Sequence, residues 1–194
     1  MHVTQRSVNR AATFLDVADR EFYLALLDKM MRRHAIAVHN YTLMSNLVHL
    51  LITPLRAEAL ARAMSAINQS YVTAFNRKHG RAGTLWEGRF RSCLVDTESY
   101  LLTLYRYIEL NPVRAAMVDS PAAHQWSSAR ANLGLSDDAR ITPHPVYLDL
   151  GNTAAERTRR YSDFLHSDIP EADLHAIREH IRRRERLGAN VSSA

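Results

Sequence analysis

Residues 35–54, AIAVHNYTLMSNLVHLLITP, narrow the choice of fold more than any other stretch. AIAVHNYTL and LVHLLIT are rich in β-branched and aromatic residues, the turn pair Ser45-Asn46 separates them, and Pro54 stops the second. That pattern predicts a β-hairpin. On its N-terminal side LDVADREFYLALLDKMMRRH offers Asp16 as a helix N-cap. Phe22, Leu24, Leu26, Leu27 and Met30 approximate a helical stripe that ends at Arg32-Arg33-His34. On its C-terminal side Leu60, Met64, Ile67, Tyr71, Ala74 and Phe75 recur at helical spacing within residues 57–79.

The remaining elements extend this core. HVTQRS, residues 2–7, alternates and carries Val and Thr, which predicts a first strand. HGRAGTLWEGRFRSCLVD is a Gly-rich loop leading to a short strand, and TESYLLTLYRYIELNP is a helix stopped near Pro112. The order β-α-β-β-α-β-α predicts an α+β fold: a ferredoxin-like split βαβ sandwich, an antiparallel sheet with helices on one face. Residues 1–135 are expected to form that domain. Residues 136–194 are expected to be a linker and a helical C-terminal extension, with helices near 153–166 and 171–186.

Composition excludes several classes. Of 194 residues 46% are apolar, enough for a core, while Cys93 is the single cysteine, so neither a disulfide framework nor a cysteine zinc site is available. No apolar run reaches the roughly 20 residues of a membrane span, and MHVTQRSVNR has no apolar signal core, so a cytoplasmic protein is expected. Twenty-five basic against 20 acidic residues leave +5, which suits a nucleic-acid partner without requiring one.

Alternation along a strand places residues 47 and 49 on one face. Two histidines there would grip a divalent ion, but the sequence reads Leu47-Val48-His49. Tyr107 and Asn111 are four apart and share a helix face. If that helix packs over His49, a phenol and an amide meet the imidazole. A metal there would polarise a phosphate oxygen, and a tyrosine beside it could attack phosphorus and join covalently to DNA. Each residue also has a plainer reading: His49 as a core histidine, Tyr107 as packing with Tyr100 and Leu104, Asn111 as the residue that ends a helix before proline.

HVTQRSVNR, YTLMSNLVHLLITP, FNRKHGRAGTLWEGRFRSCLV, YLLTLYRYIELNPVRAAMV and QWSSARANLG follow one another in order. Together, over about residues 2–135, they resemble the REP-associated tyrosine transposase family, within the His-hydrophobic-His single-strand DNA transposases. The resemblance implies a ferredoxin-like fold, a Mg²⁺ or Mn²⁺ cofactor, and cleavage of single-stranded or hairpin DNA through a 5′-phosphotyrosine intermediate. It places the nucleophile at Tyr107, a metal ligand at His49 and a third, helix-borne ligand at Asn111. The partner it implies is repetitive palindromic DNA, bound by a monomer or a homodimer.

The chain departs from that pattern at the metal motif, where Leu47 replaces the first histidine and Ser45 replaces the usual proline. A catalytically inactive DNA-binding module of the same fold is therefore the alternative, and a protein-interaction or small-ligand scaffold is a third reading. Between residues 77 and 91 cations interleave with aromatics, so Arg77, Lys78, Arg81, Arg89 and Arg91 are candidates to follow phosphates, and Trp86 is a candidate to stack on a base, with packing into the core as its alternative. Phe90 and Trp126 are expected to pack, and Cys93 to be a small buried strand residue. REHIRRRERLG, residues 178–188, reads as a solvated helix end or a phosphate-binding arm. His2 and His39 carry no pattern that marks them.

Overall fold

The computed structural model describes residues 1–95 and 98–167, together with residues 174, 175, 177 and 179. Its strands are β1 (His2–Arg6), β2 (Ile36–Leu43), β3 (Leu47–Pro54) and β4 (Arg91–Cys93), in the sheet order β2-β3-β1-β4 with every pair antiparallel. This is the split βαβ arrangement. The hairpin closes where Met44 N donates to Leu47 O at 2.8 Å.

Helix α1 (Val17–Arg33) begins as expected at Asp16, in a reciprocal box. The Asp16 carboxylate accepts from Asp19 N at 2.9 Å, and the Asp19 carboxylate accepts from Leu15 N at 2.8 Å and Asp16 N at 3.4 Å. Helix α2 (Ala59–His79) ends at Gly80, whose φ of 61° lies in the left-handed region that glycine adopts at no steric cost. Val38, Leu43, Val48, Leu50 and Ile52 from the sheet interlock with Leu24, Leu27, Leu60, Met64, Ile67 and Phe75 of α1 and α2 in one buried cluster.

The opposite face is also covered. Helix α3 (Glu98–Glu109) lies against it, followed by the short helices α4 (Asn111–Arg114), α5 (Ala129–Asn132) and α6 (Pro145–Leu148) and by α7 (Ala154–His166). Leu51 joins Leu104, Tyr105, Tyr107, Ile108, Tyr147, Tyr161, Leu165 and Ile177 in this second cluster. So α1 and α2 take one face, while α3 and the extension take the other. The expected helix near 153–166 is α7, N-capped by Thr153. The one near 171–186 lies outside the described residues except for Leu174, His175, Ile177 and Glu179, and so does most of the basic run at 178–188.

A β-bulge at His39 changes which residues face which layer. Before it Val38 pairs with Ile52, and after it Asn40 pairs with Leu51. His39 is pinned at both ring nitrogens, Nδ1 to Thr142 O at 2.7 Å and Nε2 to Thr53 Oγ1 at 2.8 Å. The bulge turns Asn40 and Thr42 toward α3, where Thr42 Oγ1 donates to Ile108 O at 3.1 Å.

Asn40 meets Glu109, which is fully buried. Its Oε1 accepts from Asn40 Nδ2 (2.8 Å), Ser128 Oγ (2.8 Å) and Asn132 Nδ2 (2.7 Å), and its Oε2 accepts from Tyr161 Oη (2.7 Å). Burial raises the Glu109 carboxyl above the usual range, against the pull of these four donors. One side chain thereby ties β2, α3, α5 and α7 together. Arg106 adds a second tie, donating to Phe164 O at 3.1 Å and Ser167 Oγ at 2.6 Å.

Candidate nucleophile and DNA-facing centre

Register determines which side chains share the α3 face. His2 lies opposite Leu51, Thr4 opposite His49, and Arg6 opposite Leu47, while Thr4 also faces Arg91 of β4. Paired residues of adjacent strands point to the same side. His2, Thr4, Arg6, Leu47, His49 and Arg91 therefore lie on one face, under α3.

Helix α3 brings Tyr107 onto this face. Its ring stands edge-on to His49, with centroids 5.8 Å apart at 84°, and edge-on to His2 at 6.4 Å. The Arg114 guanidinium lies 4.6 Å from the Tyr107 ring centroid and donates to the Tyr107 carbonyl. Tyr107 is 8% exposed and His49 2%. Burial, then the charges of Arg114 and Arg6, push the His49 imidazole down to about 3, so it is neutral at physiological pH.

His49 is not alone. His2 Nε2 and His49 Nδ1 are 3.0 Å apart, with ring planes 8° from parallel. Three participants in this centre, His2, Arg6 and Arg114, carried no sequence signal of their own. Alternation would have given the face of His2 and Arg6 only if the β1–β3 register had been known.

The donor atoms test whether a divalent ion fits at this centre. His49 Nε2 is buried without a hydrogen-bond partner and can offer an ion a lone pair, whereas Asn111 Nδ2, also buried and unpartnered, is a donor that cannot ligate one. Leu47 adds no donor. His49 Nε2 can thus supply an ion with one nitrogen ligand. The turn at Leu110 separates Tyr107 in α3 from Asn111 in α4, so the shared face expected of one helix passes through a break.

Among the described residues a second grouping, Asp16, Asp19 and His79, holds three donor atoms within 4.8 Å of one another. The Lys78 ammonium already sits there, 2.7 Å from Asp16 and 2.8 Å from Asp19. This cluster is an N-cap and an α1–α2 ion pair.

Two expected DNA contacts are corrected. Trp86 is 3% exposed, packed in the core with its ring centroid 6.3 Å from Tyr23 and 6.2 Å from Tyr71, so its face is not available to a base. Lys78 is held by two carboxylates and is not a free phosphate contact. Arg77, Arg81, Arg89 and Arg91 are exposed. Arg81 lies 5.7 Å from the Phe75 ring centroid. Phe90 packs against the core, as expected, and so does Trp126. Cys93 is buried. Among the described residues no helix is long and apolar enough to cross a membrane.

The sequence model of the family described as "Transposase IS200 like" matches residues 1–111. A solved structure, "the REP associates tyrosine transposase bound to a REP hairpin", superposes with a TM-score of 0.56 at 15% identity, covering 74% of this chain and 90% of that one. At that identity the likeness speaks for the fold. No curated protein sequence matches.

Proposed function

The chain belongs to the IS200-like transposase family, and we propose that it binds single-stranded or hairpin DNA and cleaves and rejoins it through Tyr107. The observation that carries this reading is the placement of Tyr107 edge-on to His49 at 5.8 Å, on a sheet face that also presents Arg6 and Arg91. The Tyr107 oxygen attacks phosphorus and the bond to the 3′ oxygen breaks. This leaves a 5′-phosphotyrosine and a 3′-OH that reverses the step on another strand. A free phenol ionises only near pH 10, so attack benefits from cations near the phosphate, and Arg6, Arg91 and Arg114 supply them from the protein. His49 through Nε2 and Asn111 through its amide oxygen would hold Mg²⁺ or Mn²⁺, which would supply Lewis-acid polarisation of the phosphate. Arg77, Arg81 and Arg89 hold the flanking backbone.

Leu47 favours a second reading, a DNA-binding module that keeps the grip and has lost the cut, because a hydrocarbon stands where the family pattern has an imidazole. Both readings are tested on a denaturing gel, with labelled hairpin oligonucleotide, Mn²⁺, and wild type beside Tyr107→Phe. A covalent band that disappears in the variant establishes the nuclease. Salt-sensitive binding with no band establishes the module, and no binding at all overturns both.

A further inference from the structure

We propose that His2 is the positioning residue of this centre: its Nε2 accepts the Nδ1–H of His49, which sets the His49 tautomer and leaves Nε2 as a bare lone pair. The use of that lone pair rests on the function proposed above, but the tautomer does not.

Two imidazole nitrogens 3.0 Å apart with rings nearly parallel share one hydrogen. Both rings are buried and neutral, so each carries one N–H, and two assignments remain. Either His49 Nδ1 donates to His2 Nε2, or the reverse. In both cases the outer nitrogens, His2 Nδ1 and His49 Nε2, have no hydrogen-bond partner. The pair cannot chelate an ion as it stands, because its facing nitrogens are occupied with each other and the outer two point apart.

The charges around the pair decide between the assignments. Along the strands His2 lies at the Leu51 end of His49, while Arg6 and Leu47 lie at the other end. With Nδ1 turned to His2, His49 Nε2 is turned toward the Arg6–Leu47 end. Arg6 and Arg114 both act on His49, whereas no guanidinium acts on His2, whose charged neighbours are its partner His49 and then the Met1 ammonium, which donates to Ile52 O at 2.6 Å. Two guanidiniums favour a lone pair at Nε2 and disfavour an N–H dipole there. The hydrogen then sits on His49 Nδ1. This is the way a neighbouring acceptor orients a working imidazole in metal and acid–base sites.

The test is long-range ¹H–¹⁵N correlation NMR on histidine-labelled protein, with the His49 signals assigned by their loss in His49→Gln. Wild type is expected to show His49 as the Nδ1–H tautomer. His2→Phe keeps an aromatic ring against Tyr107 but removes the acceptor, and it is expected to release His49 toward Nε2–H. His2→Gln returns an acceptor oxygen and is expected to restore Nδ1–H. An Nε2–H signal in wild type, or a signal unmoved in His2→Phe, overturns the proposal. If His2→Phe does not fold, the wild-type and His2→Gln spectra still decide. Cleavage is scored separately, with a loss of about tenfold or more expected in His2→Phe and recovery in His2→Gln. Absent cleavage with the expected spectra removes the nuclease reading and leaves the tautomer standing.

Discussion

Tyr107 and His49 sit 58 positions apart in sequence, yet their rings meet edge-on at 5.8 Å and 84°, and the Arg114 guanidinium lies 4.6 Å from the Tyr107 ring centroid. The contact holds a hydroxyl-bearing ring against a neutral imidazole within a cationic surround.

Tyr107→Phe is expected to abolish covalent DNA adduct while leaving hairpin affinity within about twofold, because the ring keeps its packing and the stack with Arg114. Loss of affinity in a filter-binding assay parallel to loss of adduct would show that the hydroxyl binds DNA rather than attacks it.

Leu47→His places a second imidazole on the face of His49. It is expected to raise the melting temperature in Mn²⁺ relative to EDTA and to raise any cleavage by tenfold or more, on the scale of about 1.4 kcal/mol per tenfold change. An unchanged Mn²⁺ response would mean that this edge of the strand does not face an ion.

Alanine at Arg77, Arg81, Arg89 or Arg91 is expected to flatten the dependence of log affinity on log salt by about 0.7 to 1 for each phosphate contact removed. Lys78→Ala should leave that slope nearly unchanged, since its ammonium is bound to Asp16 and Asp19, and should instead loosen α1 against α2. A Lys78→Ala slope as altered as that of the arginine variants would refute this division.

Glu109→Ala strands four buried donors, from Asn40, Ser128, Asn132 and Tyr161. At about 1–3 kcal/mol for each orphaned group, a loss of about 4 kcal/mol or more is expected in urea unfolding. A loss below about 1 kcal/mol would show that water replaces the carboxylate.

His39 is held neutral by burial, which lowers its imidazole to about 4 from the ordinary 6.5. The unfolded chain takes up the proton first, so this stability is whole above about pH 6.5 and drains as pH falls toward 4. His39→Gln is expected to flatten the pH–stability curve in that window by up to about 1.4 kcal/mol per pH unit. A curve that keeps its wild-type slope would assign the effect to the other buried histidines.

Much of this was legible in the residues. The hairpin, the Asp16 cap, the helix stripes and the element order all come from local periodicity, and they sufficed for the four-stranded sheet. Tyr107 and His49 could be singled out, but only conditionally on how α3 packs. The reading of Trp86 failed because cations on both sides made a buried ring look like part of a binding strip. Lys78 failed in the same way, because Asp16 and Asp19 that neutralise it lie about 60 residues away.

What sequence alone determined was the type and order of elements and, within each strand, which residues alternate together, since these depend on neighbours two to four positions apart. Only the tertiary structure decided which faces meet. The bulge at His39 reverses the alternation of β2 and turns Asn40 toward Glu109. The β1–β3 register places His2 against His49 across 47 residues of chain. Both outcomes are set by burial and hydrogen bonding between distant segments, and no local pattern encodes those partners.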